Sequence, residues 1–393
     1  MAHILHITCD FPDALVPGKT QAIKRLIDGT PEHRHIVYSL NRVDGLSGAE
    51  IVGFGKDRFA VAYRAPPKGI FLKTYLNHVA ELILVDFKRH DLKADIIHAH
   101  KLTIDGIVAN KIAKHLDLPI LFSIQGDTDA KVVSARPDLA SEFDKHVEVA
   151  ELLLPFAPWA REWVTARFPA AAGKSVLLPV MSADDSLSAC PIIGAPRLVT
   201  IFHLESWRRK NLPILAKAIR LLSRNLPNIR LDIYGGGSPR ALLEVGEVVA
   251  AAGAEKVVEL KGPVPNSDVA KVLKDYAAFV LPTLRESYGL VHAEALFAGL
   301  PILISRDMGI DKILPECEFI KSCDPRSESS VADSIRELIE HELIAKTELA
   351  KAQKNGVLEP LRRNSIVNTY RCGLTAALNQ KRSNSLDPVV MTG

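Results

Sequence analysis

The stretch LPTLRESYGLVHAEALFAGLPILIS, residues 281–305, restricts the fold more than any other part of the chain. It reads as a strand end, a short polar loop, a helix and a further strand. The helix is expected to open near Gly289 and stop at Ala298, because Gly299 suits a left-handed position after the last turn and Pro301 cannot continue a helix. A helix start leaves backbone N–H groups unpaired, and Gly289 has no Cβ to hold a ligand away from them. An anion such as a diphosphate binds well there. Two carboxylates flank the place: Glu286 precedes the helix and Glu294 lies about one turn inside it. Each can accept hydrogen bonds from hydroxyls, and a nucleotide sugar carries hydroxyls on both sides of its diphosphate.

Glu286, seven residues and Glu294, with Tyr288-Gly289-Leu290 between and Ala298-Gly299-Leu300-Pro301 after, resemble the Glu-x7-Glu signature of the retaining, nucleotide-sugar-dependent glycosyltransferases of family four, the group 1 transferases. Two glutamates at this spacing alone mark only a solvated helix face. The embedded glycines, the proline and the flanking strands make the pattern specific.

A chain of 393 residues suits two domains of about 150 to 200 residues each. It is 47% hydrophobic and 24% charged, ordinary for a globular protein. With 49 basic against 46 acidic residues, the net charge of +3 gives no ground for a nucleic-acid partner. Cys9, Cys190, Cys317, Cys323 and Cys372 are scattered without zinc-ligand spacing, which fits free thiols in a reducing compartment. The start MAHILHIT has no basic region followed by a long apolar core, and no uncharged run reaches spanning length. The expected location is the cytoplasm, with peripheral attachment to the inner face of the membrane as an extension of that expectation.

His3–Thr8 reads as the first strand and 9–18 as a loop feeding a helix over about 19–28. Lys19 and Thr20 after Gly18 imitate a P-loop, but the glycine needed five positions earlier is Asp13, whose carboxylate repels phosphate. Residues 66–93 carry an apolar stripe at helical spacing (Phe71, Leu76, Val79, Ile83, Phe87) surrounded by Arg64, Lys68, Lys73, Lys88, Arg89 and Lys93. A core-facing helix with a solvated basic side is the plainer interpretation; a membrane-surface helix is the sharper one. Strands at 94–100 and 119–124 with a helix between them imply a doubly wound parallel sheet, whose ligands gather at the carboxyl ends of the strands. His98, His100 and Gln125-Gly126-Asp127 fall at such ends. Asp127-Thr-Asp129 has the form of a metal-binding pair, and lacking further support it reads as a loop feature. A helix over 140–149, a strand at 152–154, a helix over 158–168 and the segment 175–179 complete the first domain. Residues 181–196 read as a linker.

The second domain opens with a strand at 197–202, and then His203-Leu-Glu-Ser-Trp-Arg-Arg-Lys-Asn211 puts three consecutive cations at the mouth of a sheet. They are placed to neutralise a departing diphosphate. Strand 230–234 ends in Gly235-Gly-Gly237, with Ser238 as helix cap and Pro239 at the first helical position. Strand 257–264, helix 267–275 and strand 278–282 lead into the opening stretch, and the chain is helical from about 330.

The resemblance spans nearly the whole chain and is specific over 197–314. It implies an α/β protein of the GT-B class, two Rossmann-like doubly wound parallel-sheet domains facing across a cleft. Residues 1–180 would bind the acceptor and 196–364 the nucleotide-sugar donor, with a terminal helix near 365–380 packing back onto the first. By the same resemblance Glu286, Lys210 and Arg209 carry the chemistry, Arg208 being a rival for the phosphate-binding role. Glu294, Tyr288, Gly289, Leu290, His203, Gly235 and Val264 line the donor, and Gly18, His100 and Gln125 face the acceptor or the cleft. His203 stands where the family usually has arginine, and Gln125 where it often has histidine. The implied activity is retaining transfer of a sugar from a nucleoside diphosphate sugar, with no metal and no cofactor beyond the donor itself, in polysaccharide or glycolipid biosynthesis. Its partners would be a nucleotide sugar, a sugar or lipid-linked acceptor and an anionic membrane surface. An epimerase or phosphorylase on the same scaffold, or a non-catalytic partner protein, remains open.

Overall fold

The computed structural model describes residues 1–45, 48–188, 197–265 and 267–386. Residues 189–196 of the expected linker, with Cys190, lie outside the described residues. The chain divides into two compact units, one of residues 1–156, 160–181 and 363 onward, the other of 157–159 and 182–362.

The first unit is built on a seven-stranded sheet of β1 (His3–Thr8), β2 (Arg34–Val43), β3 (Ala49–Gly55), β4 (Arg58–Arg64), β5 (Ile96–Ala99), β6 (Ile120–Ile124) and β7 (Ala150–Pro155), in the order β3-β4-β2-β1-β5-β6-β7. All neighbours run parallel except β3 and β4, an antiparallel pair at the edge. β1, β5 and β6 are buried almost throughout, as strands covered on both faces must be. The terminal helix Arg363–Leu386 covers one face. Its Ile366, Val367, Tyr370, Leu374 and Ala377 share a core with Ile4, Leu26, Ile96, Leu121, Leu154, Leu178 and Met181. Gly29 admits that helix, since a Cβ there would lie 2.7 Å from Val367 Cγ2.

The second unit carries a six-stranded parallel sheet of β8 (Arg197–Ile201), β9 (Arg230–Tyr234), β10 (Val258–Gly262), β11 (Ala278–Val280), β12 (Ile302–Ser305) and β13 (Ile320–Cys323), in the order β10-β9-β8-β11-β12-β13. The chain winds outward from β8 to β10, then returns to pair β11 with the other side of β8. The loops leaving β8 and β11 therefore diverge, and the gap between them is where ligands of such sheets gather. Both units are Rossmann-like, the α/β organisation of the GT-B class.

Several local expectations are corrected. The first helix runs Ala22–Asp28, not from residue 19, because Lys19 donates to Asp13, Ser39 and the carbonyl of Leu40, which holds it in the preceding loop. The basic helix begins only at Leu72, since Lys68, Gly69 and Phe71 have positive φ. Asp127 and Asp129 are not in a loop but open the helix Asp127–Ala135. Residues 175–179, read as the close of the first domain, add a single bridge from Ser175 to Leu153.

Candidate functional site

At the β8/β11 gap the two loops are stitched together. The Leu284 amide donates to the Arg209 carbonyl at 3.0 Å. Asn211, held in the left-handed region at φ +60°, donates through Nδ2 to the carbonyls of Pro282 at 3.0 Å and Pro325 at 2.6 Å. This clasp brings Lys210 Nζ to 2.5 Å from Glu286 Oε2, with Arg209 Nη1 4.0 Å from Oε1. The paired side chains are only 11% and 10% exposed, so removing one partner strands the other charge at a cost of about 3–5 kcal/mol. Arg208 is not part of this group: it lies over the Trp207 ring at 4.0 Å and pairs with Glu244 at 3.3 Å.

Beside the pair starts the helix Leu290–Phe297, within one residue of its expected bounds. Gly289 caps it at φ +81°, where a Cβ would sit 2.5 Å from His292 Nδ1, so glycine is required by backbone and by space. No side chain caps this end. The His292 amide donates to the Gly289 carbonyl at 2.9 Å, which leaves the Leu290 and Val291 amides to an anion. Gly299, at φ +83°, ends the helix as its sequence position implied. Glu294 is half-buried one turn inside. Tyr288 differs from expectation: its side chain is turned into the core, 3% exposed, so only its backbone borders the loop. Thr283, Tyr288 and His292 place buried polar atoms behind this loop without hydrogen-bond partners among the described residues.

Gly235 lies across the ends of β8 and β9, with its amide on the Gly262 carbonyl at 2.9 Å. A Cβ there would fall 1.9 Å from the Phe202 carbonyl oxygen, which closes the position to every other residue. Glu205, which the sequence did not single out, ties the turn together: Oε1 accepts from the Ser238 amide at 2.6 Å and Oε2 lies 2.5 Å from His203 Nδ1. His203 is therefore exposed and already engaged by a carboxylate. Val264 is half-buried, two residues past the end of β10.

The remaining candidates lie in the first unit. Gly18 sits in a loop organised by Asp13, which accepts from Lys19, Ser39, Asn41 and two backbone amides. Burial alone would raise the Asp13 pKa; the hydrogen bonds from Ser39, Lys19, Asn41 and Val16 outweigh it and hold the group near 2. Gln125 donates to Asp10 at 2.7 Å and to the His100 carbonyl at 3.0 Å, and Lys101 completes the group 2.8 Å from Asp10. His100 is buried in a line of histidines rather than presented to a ligand. The Thr30 carbonyl can only accept, so His35 Nε2 carries hydrogen; His6 then donates to His35 Nδ1 at 2.9 Å, and His100 Nε2 donates to His6 Nδ1 at 3.0 Å. Burial, then the Lys101 charge and His35, push the His100 pKa down to about 3, which keeps the line neutral. Asp129 also faces inward, accepting from the Thr103 amide and hydroxyl and from the Gln125 amide. Asp127 pairs with Lys131 at 2.9 Å, so the two carboxylates do not converge on one point.

Residues 197–356 match the family model described as glycosyl transferases group 1. Among curated proteins the chain is 28% identical over 169 residues to the GtfA subunit of UDP-N-acetylglucosamine--peptide N-acetylglucosaminyltransferase of Streptococcus pneumoniae, covering 42% of this chain and 31% of that one. It is 31% identical over 124 residues to D-inositol 3-phosphate glycosyltransferase of an Arthrobacter species, covering 31% and 30%. The chain thus matches about a third of the length of these relatives. Among solved structures, sucrose-phosphate synthase of Thermosynechococcus elongatus superposes with a TM-score of 0.71 at 16% identity, over 95% of this chain and 99% of that one. HepE of Anabaena, in complex with UDP, gives 0.68 at 15% identity, over 96% and 100%. At these identities the structural likeness is one of fold.

Proposed function

We propose, from the match of residues 197–356 to the group 1 glycosyl transferases, that the chain transfers a sugar from a nucleoside diphosphate sugar to an acceptor, with retention at the anomeric carbon. The observation that carries this is the Lys210–Glu286 pair at the β8/β11 gap, beside a helix that starts on Gly289 without a side-chain cap. An arriving diphosphate competes with Glu286 for Lys210 and gains the first amides of the helix, Leu290 among them. As the bond to the sugar breaks, negative charge grows on the leaving phosphate, and Lys210 and Arg209 are already fixed beside it. Glu286, freed from Lys210, accepts hydrogen bonds from sugar hydroxyls and orients the anomeric carbon. Glu294 takes the ribose. Gly235 allows close approach of the backbone, Val264 borders the base, and His203 works through its pairing with Glu205. In the first unit Gly18 and Gln125 shape the acceptor side, with the buried His100 behind them accepting from Gln125 through its carbonyl. The cations supply the charge that a divalent ion would otherwise provide.

UDP, present in the Anabaena structure, heads the nucleotides to test. Purified protein incubated with a panel of nucleotide sugars in EDTA is expected to release nucleoside diphosphate, and NMR of the product should show the donor's anomeric configuration. Epimerised sugar without transfer would instead favour an isomerase, and no reaction with any donor, despite binding, a non-catalytic protein.

A membrane-facing acceptor is favoured by the helix Leu72–Arg89. Leu76, Val79, Ala80, Ile83 and Phe87 face the core, yet Ile70, Phe71 and Val85 are exposed beside Lys68, Lys88 and Arg89. Lys73 is engaged by Glu142 at 2.7 Å. No helix of the described residues is long and apolar enough to cross a membrane, so attachment here would be peripheral. A lipid-linked acceptor at the cytoplasmic face, in polysaccharide or glycolipid assembly, fits such a surface. Each cation near an anionic bilayer adds about 1 kcal/mol. Wild-type protein is expected to sediment with anionic vesicles at low salt; no binding there removes the membrane from this account.

A further inference from the structure

His292 lies on the helix segment LVHAEALF, whose only other polar residue is Glu294, and the reaction just outlined gives it no role. It is 2% exposed, and neither ring nitrogen has a hydrogen-bond partner among the described residues. A buried polar group left unpaired is destabilising, so a hydrophobic residue would be the more stable choice there. Its surroundings are specific. Nδ1 lies 2.5 Å, and Glu286 Cγ 3.2 Å, from the point where a Cβ on Gly289 would be, so histidine and glutamate flank one vacancy at the helix start. From β11 the Phe279 ring meets the imidazole edge-on at 5.3 Å between centroids. Two charged groups act on it: Glu286 favours the imidazolium and Lys210 disfavours it, while the Gly289 and Leu281 backbone, too poorly aligned for a true hydrogen bond to the ring, also favours it. Burial is the largest influence and keeps the resting pKa near 4, so the ring is neutral while Lys210 is bound to Glu286.

We propose that His292 is a positioning residue that takes up a proton when a nucleoside diphosphate draws Lys210 away from Glu286. This rests on the assignment of the β8/β11 gap as the donor site. Before the ligand arrives, the ammonium of Lys210 neutralises the Glu286 carboxylate. Once Lys210 turns to the phosphates, the carboxylate loses its counter-charge, and the phosphates cancel the cation that opposed protonation of the ring. Both changes favour the imidazolium. One proton passes from solvent to the unprotonated ring nitrogen, and no other bond forms or breaks. The new cation holds Glu286 from behind the loop while sugar hydroxyls engage it from the front. The unpaired imidazole of the resting site is therefore a group waiting for the liganded one.

The test is calorimetric titration of UDP into the full chain at pH 6.5, in two buffers of different ionisation enthalpy, for wild type, His292→Gln and His292→Leu. Wild type is expected to take up a substantial fraction of a proton more per nucleotide than either variant. In turnover assays the variants should lose roughly 10- to 100-fold in kcat with KM for the donor changed less than about twofold, the mark of a misplaced reacting group. Equal proton uptake in wild type and His292→Gln overturns the proposal while leaving the donor site intact. Failure of wild type to bind UDP or any other nucleoside diphosphate overturns the donor site itself, and the proposal with it. Should both variants fail to fold, histidine ¹⁵N spectra of wild type replace them. One imidazole must then pass from neutral to doubly protonated on adding UDP, and an unchanged set of neutral rings contradicts the proposal.

Discussion

The two sheets share a strand order at their centres, β2-β1-β5 in one and β9-β8-β11 in the other, and each sets a lysine against a carboxylate where the order reverses. Asp10 and Lys101 meet at 2.8 Å in the first unit, Glu286 and Lys210 at 2.5 Å in the second. What differs is the helix that follows. In the first unit the helix Ile104–Leu116 has no side-chain cap either, but the buried Asp129 carboxylate accepts from the amide of its cap residue Thr103 at 3.2 Å and sets a carboxylate against that end. In the second it starts after Gly289, with no side chain on its end. Burial would lower the Lys101 pKa, but Cys9, Asp105 and Asp10 outweigh it and raise it, so this lysine is bound into a charged interior. Topology supplies two equivalent gaps, and a buried carboxylate stands at the helix start of one of them.

Acidification should separate the units most. Burial, followed by neighbouring histidines at His6 and His98 and by Lys101 and His35 at His100, holds these three below the ordinary histidine pKa, and among the described residues the second unit has one such group, His292, near 4. A histidine depressed in the fold contributes stability above the unfolded value of about 6.5 and loses it as the pH falls toward its folded pKa. Amide exchange followed from pH 7 to pH 4 is expected to show β1 and β5 losing protection before β8 and β11; the reverse order breaks the comparison.

Lys210→Met should lower kcat/KM by about 10²–10³, as loss of a transition-state charge contact does. Lys101→Met should instead lower the melting temperature and leave nucleotide affinity unchanged. Similar losses of affinity would mean that both gaps bind the ligand. Next in size are the glutamates, at about 1.5–3 kcal/mol each. Glu286→Gln is expected to act on kcat and Glu294→Gln on nucleoside diphosphate affinity, and equal effects on affinity contradict the two roles. Smallest are the glycines. Gly289→Ala forces a side chain into the left-handed region and against His292, costing about 1–2 kcal/mol in stability and weakening nucleotide binding. Gly18→Ala meets nothing within 4 Å and should leave stability unchanged. A loss of activity without a loss of stability there would mark Gly18 as a ligand contact.

Helix Leu290–Phe297 was legible because glycine and proline mark its ends chemically, whatever it packs against. The alternation of short apolar runs with helical stretches likewise carried the parallel sheets. Strands β2, β3 and β4 were not foreseen: RHIVYSLNRV and RFAVAYR become strands through pairing with each other, with β1 and with AEIVGFG, partners that local pattern does not name. Lys210 and Glu286 were both readable, yet their meeting depends on the clasp made by Asn211, 71 residues from Pro282. Asp129 resembled a ligand by spacing and proved to face inward, accepting from Thr103 and the Gln125 amide, because spacing does not say which way a carboxylate turns. His292 carried a signal that went unused, a lone histidine two residues before Glu294 in a helix whose remaining residues are apolar.

Hydrogen–deuterium exchange with and without saturating UDP tests most directly whether the second gap is the open one. The account predicts slowed exchange at 203–211, 235–238 and 284–292, with segments 8–10 and 100–105 unchanged. Protection confined to the first unit's gap, or none at 284–292 despite demonstrated UDP binding, would contradict it.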